Sequence, residues 1–83
     1  MEIKETEVGL DYLEALRKVI LIRKQRRKFY SDSFLDDDIY TLICFVEGKL
    51  NRFKISNNFE NKEDSIIDAI NYLIFILCDL NKK

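Results

Sequence analysis

The chain contains no proline and only two glycines among its 83 residues. A sandwich or barrel of many short strands needs such residues at its turns, and this chain does not supply them. Its abundant leucine, isoleucine, lysine and glutamate favour helices instead. Because 47% of the residues are hydrophobic, the chain has enough apolar surface to fold, and its length suits one domain. The sequence therefore predicts a small all-α domain.

Three segments show the apolar spacing of amphipathic helices, separated by polar loops. They are predicted over residues 8–28, from about Asp36 to 54, and from about 62 to 80. Ser33 and the acidic residues 36–38 are expected to cap the second helix, and Asn61 the third. Residues 1–7 lack periodicity and predict a flexible acidic tail, which leaves residues 8–83 as a single three-helix domain.

The third predicted helix is apolar over most of its circumference. The residues responsible are Ile66, Ile67, Ile70, Leu73, Ile74, Phe75, Ile76 and Leu77. Three helices of one copy seldom cover a helix on so many sides, so the pattern predicts a homo-oligomeric helical bundle. Either this helix or the first one, which also has excess apolar residues, is expected to pack on another subunit. The longest apolar stretch, residues 69–78, is too short for a membrane span, and no membrane partner is expected.

Charge and composition exclude several classes of function. The chain has no histidine, which removes the commonest metal ligand and the commonest general base. Its net charge of −1 provides no overall basic field, so DNA is not an expected partner. Cys44 and Cys78 lie in apolar patterns and are expected to be buried and reduced. Since the N-terminal residues also lack a signal peptide pattern, the predicted location is the cytoplasm.

Carboxylates on two predicted helices suggest a metal site. Asp64, Asp68 and Asn71 are spaced by single turns on one face of the third helix, and Glu47 lies on the second. If these helices pack antiparallel, Glu47, Asp64 and Asp68 converge and suit Mg²⁺, which binds through few carboxylates together with substrate phosphates. The ordinary structural explanation also stays open: Asp64 complements a helix N-terminus, and Asp68 belongs to a solvated face.

A basic run occupies the second half of the first predicted helix. It places seven cations in twelve residues: Arg17, Lys18, Arg23, Lys24, Arg26, Arg27 and Lys28. Together with Lys49, Arg52 and Lys54 it suits the phosphate groups of nucleotides or RNA. The candidate phosphate ligands are Lys28, Lys49 and Arg52. A solvated face balanced by the acids of residues 2–14 is the alternative.

Three segments, read in order, resemble a known family. They are residues 28–34 (Lys-Phe-Tyr-Ser-Asp-Ser-Phe), 49–52 (Lys-Leu-Asn-Arg) and 63–72 (Glu-Asp-Ser-Ile-Ile-Asp-Ala-Ile-Asn-Tyr). Together they are similar to the phage-encoded nucleotide-modification-associated domain, a relative of the MazG-like all-α nucleoside triphosphate pyrophosphohydrolases. The resemblance covers residues 17–80. It implies an intracellular, phage-borne, oligomeric protein that handles nucleotides, with Asp64 and Asp68 as metal-binding acids and Lys49 and Arg52 facing phosphates.

The chain departs from the family pattern at two places. Ser31 stands where the family usually has glycine, and Glu47 alone stands where MazG-like enzymes carry a Glu-Glu-x-x-Glu cluster. A two-metal mechanism, which clamps the attacking and leaving oxygens, therefore lacks part of its usual cage. The sequence leaves open whether a bound nucleotide is hydrolysed.

Three functional hypotheses follow. The first is a Mg²⁺-dependent nucleotide hydrolase in which Tyr30, Tyr72 and Asn71 contact the base or sugar. The second is a non-catalytic oligomeric binder that sequesters a nucleotide, such as a cyclic oligonucleotide that signals host defence. The third is a small inhibitor that docks on a host protein. In each case the protein is expected to act in the cytoplasm, that of the host cell if it is phage-encoded.

Overall fold

The computed structural model describes residues 2–30 and 37–82. These residues form four helices and no strand, which confirms the all-α class. The helices are α1, Glu5–Val8; α2, Leu10–Tyr30; α3, Ile39–Ile55; and α4, Phe59–Asn81. Across the described ranges, no helix has the length and apolarity needed to cross a membrane.

The chain divides into two compact units, Met1–Ser31 and Asp32–Lys83. In the first unit, α1 adds a turn of helix inside the segment predicted as a flexible tail. Gly9 separates α1 from α2 because its φ of 91° belongs to the region that favours glycine. The Gly9 amide donates to the Glu5 carbonyl at 2.7 Å, and the Gly9 carbonyl accepts from the Leu13 amide at 3.2 Å. The continuous helix predicted from residue 8 is therefore interrupted at Gly9.

Helix α3 begins behind a side-chain cap. The Asp38 carboxylate accepts a hydrogen bond from the Thr41 amide at 2.7 Å, and this contact lowers the pKa of Asp38 below its ordinary value. Capping by the acidic residues is thereby confirmed at Asp38, whereas Ser33 and Asp36 lie outside the described residues. The last turn of α3 is closed by Lys62, whose ammonium group donates to the Phe53 carbonyl at 2.7 Å and lies 4.3 Å from the Phe53 ring centroid.

Helix α4 begins three residues earlier than predicted. Asn58, and not Asn61, is its cap: the Asn58 side chain accepts from the Asn61 amide at 3.2 Å. The predicted Asn61 cap is therefore wrong, because Asn61 lies inside the first turn and supplies the donor. The Ser56 hydroxyl accepts from the Asn58 amide at 3.2 Å and holds the short connection from α3. Several asparagines in this segment could act as the N-cap, and the local sequence alone does not show which of them does.

In the second unit, α3 and α4 form an antiparallel helical hairpin. Phe45 contacts Tyr72, and one turn further along α3 Lys49 contacts Asp68, one turn back along α4. The expected antiparallel packing of these helices is therefore confirmed. Buried positions of the two helices are Leu42, Val46, Ser65, Ile67, Ala69 and Asn71. Ser65 and Ala69 are small side chains one turn apart, a spacing that lets neighbouring backbone approach closely.

The two cysteines differ in their surroundings. Both are free thiols, as expected, and Cys78 is half-buried. Cys44, however, is exposed, so its predicted burial is wrong. It follows the fully buried Leu42 by two residues, about 200° around the helix, which places it on the outer side of α3.

Gly48 offers a test of the fold that does not depend on what the protein binds. It lies in the interior of α3, and a Cβ atom built there meets nothing within 4 Å. Gly48→Ala is expected to raise the free energy of unfolding by about 0.5–1 kcal/mol, since glycine loses more backbone entropy in a helix. Urea unfolding followed by circular dichroism measures the change. Gly9→Ala is the control: its positive φ is strained for alanine, so no gain is expected, and a gain at Gly9 with none at Gly48 would contradict this account.

Candidate functional site

One face of the α3–α4 hairpin gathers most of the predicted site residues. We call it the polar face and define it by six residues: Phe45, Lys49, Arg52, Asp64, Asp68 and Tyr72. The contacts between Phe45 and Tyr72 and between Lys49 and Asp68 put these four on the same side of the hairpin. Arg52 follows Lys49 by three residues and Asp64 precedes Asp68 by four, so both continue that face by one turn.

The centre of the polar face is an ion pair. The Lys49 ammonium nitrogen lies 3.0 Å from a carboxylate oxygen of Asp68, and the two side chains are 23% and 17% exposed. The sequence assigned Lys49 to phosphate and Asp68 to metal, and the structure brings them into direct contact. Because the pair is partly screened from solvent, its attraction is stronger than that of a fully exposed pair. The partial exposure also leaves both charged groups within reach of a ligand.

An aromatic cluster lies one turn from the ion pair. The ring centroids of Phe45 and Tyr72 are 5.2 Å apart at an interplanar angle of 46°, and Phe75 meets Tyr72 edge-on at 6.1 Å. Tyr72, a predicted base or sugar contact, is half-buried between the two phenylalanines, while Phe45 is exposed. Phe45 was not among the predicted site residues. Its position four residues before Lys49 on the same helix is the sequence signal that could have identified it.

The other end of the polar face carries Arg52 and Asp64. Both side chains are exposed. Arg52 stands in the last turn of α3, where its carbonyl accepts from the Ser56 amide at 3.0 Å and its positive charge complements the helix dipole. Two predicted phosphate ligands, Lys49 and Arg52, therefore share a face with two predicted metal ligands, Asp64 and Asp68.

Two other predicted residues of the hairpin lie elsewhere. Glu47 precedes Lys49 by two residues, which turns it about 160° away around α3. It therefore does not join Asp64 and Asp68, and among the described residues no group of three or more acids and cysteines is placed to hold a metal ion. Asn71 is only 6% exposed, so its amide is not presented to solvent as a base or sugar contact would require.

The remaining predicted residues belong to the first unit. Lys28 is exposed on α2, together with Arg17 and Lys24. The spacings of seven and four residues among these three place them on one side of α2, as a basic stripe about 16 Å long. Tyr30 ends α2, and the position of its side chain lies outside the described residues.

The polar face contains the four residues to which the sequence resemblance assigned expected roles, namely Lys49, Arg52, Asp64 and Asp68. Comparison with known proteins finds no family model that matches the chain, and no curated protein and no solved structure with significant similarity.

Proposed function

We propose that the polar face binds phosphate-bearing nucleotides. The observation that carries the proposal is the arrangement of two cations, two carboxylates and an aromatic cluster on one side of a short hairpin. A nucleotide–metal complex presents phosphate groups, a metal ion and a base. Cations suit the phosphates, carboxylates suit the metal, and aromatic rings suit the base. The ligand class includes nucleoside triphosphates and cyclic oligonucleotides.

The cations have distinct roles in this proposal. Arg52 is exposed and presents a planar guanidinium that forms two parallel hydrogen bonds to a phosphate. Lys49 acts as a point charge. When the ligand binds, its ammonium group exchanges the Asp68 carboxylate for a phosphate oxygen. Phe45 provides an exposed ring next to Tyr72, on which a base packs.

The carboxylates suit Mg²⁺ as a bridging ion. Asp64 and Asp68 are four residues apart on α4, and such positions are neighbours about 5–6 Å apart. Mg²⁺ commonly binds through one or two carboxylates, several waters and the phosphates of its substrate. Mg²⁺ would therefore bind to the Asp68 carboxylate while the Lys49 ammonium group contacts the phosphate. Metal and nucleotide would then bind together.

The proposal is one of binding, because the two carboxylates that define the polar face, Asp64 and Asp68, suit one Mg²⁺ ion better than the two-ion clamp of a hydrolase. The family resemblance supports an intracellular, phage-borne role. In such a role a nucleotide that is held and not cleaved is withheld from a host protein that would respond to it. Hydrolysis is the alternative that the following experiment separates from sequestration.

The test is calorimetric titration with nucleoside triphosphates and cyclic oligonucleotides, with and without Mg²⁺, followed by chromatography of each mixture. Arg52→Gln is expected to weaken binding by about tenfold, the effect of losing one charge-assisted contact of about 1.4 kcal/mol. Lys54→Gln is the matched control, since Lys54 is an exposed cation two residues away on the other side of α3. It is expected to change the affinity less than about twofold.

The outcomes of the titration and the chromatography distinguish sequestration from hydrolysis. Binding with the ligand recovered intact supports sequestration, and release of pyrophosphate supports the hydrolase. Equal losses in the Arg52 and Lys54 variants would mean that net charge and not the polar face attracts the ligand. If the wild type binds no nucleotide in the panel, the proposed function is wrong.

A further inference from the structure

The basic stripe of α2, formed by Arg17, Lys24 and Lys28, carries more positive charge than the helix itself requires. Residues 15–30 contain seven cations and no acid. The helix dipole explains cations in the last turn, which holds Arg27 and Lys28. It does not explain Arg17 and Lys24, which are exposed and lie before that turn. The stripe is therefore a candidate surface for an anionic partner.

The two compact units of the chain have opposite charges. The first unit, residues 1–31, has eight basic and five acidic residues and a net charge of +3. The second unit has six basic and ten acidic residues and a net charge of −4. These charges nearly cancel in the net charge of −1 for the whole chain. The first unit by itself therefore carries a local positive field that the total charge conceals.

An exposed aromatic ring adjoins the stripe at the end of α2. Phe29 directly follows Lys28 and is 83% exposed, more than any other large apolar side chain among the described residues. Gln25, four residues earlier, is exposed on the same side of the helix as Phe29 and lies between the ring and Lys24. Because a phenyl ring has no polar group, this exposure leaves a flat apolar face available for stacking.

A membrane surface and an acidic protein fit the stripe less well. A helix that lies in a bilayer surface needs a row of apolar side chains beside its cations. The exposed Ile20, Leu21 and Phe29 point in directions about 80° or more apart, so they form no such row. The centre of a protein–protein interface is depleted of lysine, whereas two of the three stripe residues are lysines.

We propose that α2 binds single-stranded RNA, with the basic stripe along the phosphate backbone and the Phe29 ring stacked on a base. Sites for single strands combine cations that follow the backbone with aromatic rings on which bases stack. RNA is the occupant because its loops and ends present unstacked bases, whereas the bases of a duplex stack on one another. This ligand and its site in the first unit lie beyond the proposed function, which concerns the second unit.

The stripe and the ring contribute to binding in ways that salt distinguishes. Each cation that neutralises a phosphate of a single strand changes the slope of log association constant against log salt concentration by about −0.7. Three such contacts predict a slope of about −2. Stacking on Phe29 releases no counterion, so it raises the affinity and leaves the slope unchanged.

The test of the stripe is fluorescence anisotropy of a labelled oligouridylate of about twelve nucleotides, titrated at salt concentrations of about 50–200 mM. The double variant Lys24→Gln, Lys28→Gln removes two phosphate contacts. It is expected to weaken binding at least about tenfold at the lowest salt and to reduce the slope to about −0.7. The matched control is Lys54→Gln, Lys82→Gln, which removes two exposed lysines of the second unit and is expected to change the affinity less than about twofold.

The test of the ring is Phe29→Leu, which keeps an apolar side chain and removes the aromatic face. It is expected to weaken binding about tenfold with the salt slope unchanged. Phe59→Leu is the matched control, because Phe59 is a phenylalanine of the second unit with 75% exposure. Its effect is expected to stay below about twofold. Both variants alter exposed side chains, so both are expected to keep the wild-type helix content by circular dichroism.

Several results would overturn the proposal. The first is a wild type that does not bind the oligouridylate at about 50 mM salt. Equal losses in the Phe29 and Phe59 variants, or duplex RNA bound as tightly as the single strand, would exclude stacking. Polyglutamate bound as tightly as the RNA would mean that charge alone attracts the ligand. Binding of phosphatidylserine vesicles or of oligothymidylate DNA without binding of the RNA would assign the stripe to a membrane or to DNA.

The RNA site and the polar face can be tested separately. Arg52→Gln is expected to change the affinity for the oligouridylate less than about twofold, because Arg52 belongs to the second unit. Phe29→Leu is expected to leave the nucleotide titrations unchanged. Loss of RNA binding in the Arg52 variant with none in the Phe29 variant would overturn the assignment to α2. The proposed function and the RNA site can therefore fail independently.

Discussion

Replacing Leu42 with alanine is expected to lower the free energy of unfolding by about 2–5 kcal/mol. Leu42 is 1% exposed, the most deeply buried large side chain among the described residues. Truncation loses the transfer free energy of the removed methyl and methylene groups, and it also leaves a cavity that a two-helix hairpin has few side chains to fill. Urea unfolding followed by circular dichroism at one fixed protein concentration measures the change.

Ile55→Ala serves as the control for this result. Ile55 ends the same helix and is 71% exposed, so its truncation is expected to change stability by less than about 0.5 kcal/mol. If both variants lost the same stability, burial at Leu42 would not be the cause. If Leu42→Ala lowered the free energy of unfolding by less than about 1 kcal/mol, the side chain would have to be exposed to solvent. The described packing of α3 on α4 would then be wrong.

The second large effect is expected at Asp68. Asp68→Asn keeps the size of the side chain but removes the charge that faces the Lys49 ammonium at 3.0 Å. The lysine is then left 23% exposed without its carboxylate, which is expected to lower the free energy of unfolding by about 1–2 kcal/mol. The value is below that of a fully buried pair because solvent still reaches both groups.

The exposed Asp64→Asn, one turn away on the same helix, is the matched control and is expected to change stability by less than about 0.5 kcal/mol. A double-mutant cycle with Lys49→Met isolates the pair from the other contacts of each residue, and a coupling energy of about 0.5–1.5 kcal/mol is expected. A coupling energy near zero would show that the ion pair does not form in solution. It would also remove the centre of the proposed nucleotide site.

The sequence predicted α3 and α4 closely. Their bounds differ from the predicted ones by three residues or fewer, because the apolar period of 3.6 residues is a local property that extends along each helix. The errors occur at the helix starts, at Gly9 and at Asn58. There the choice among neighbouring residues depends on backbone geometry that hydrophobic spacing does not contain.

The candidate site was predicted only in part. Lys49, Arg52, Asp64, Asp68 and Tyr72 were named from the sequence, and the structure places all five on the polar face. Glu47 was named as well and lies on another side of α3. Phe45 was not named because an apolar residue at helical spacing is ordinarily part of the core.

The sequence by itself determined that this chain is helical and where α3 and α4 lie. The lack of proline and the helical spacing of apolar residues are local properties of the chain. They predict a helix without any information on which other helices pack against it. Only the tertiary structure decided that Asp68 faces Lys49 and that Glu47 does not join it. Which side chains meet across a hairpin depends on the rotation and register of both helices, and close packing between them sets these two quantities.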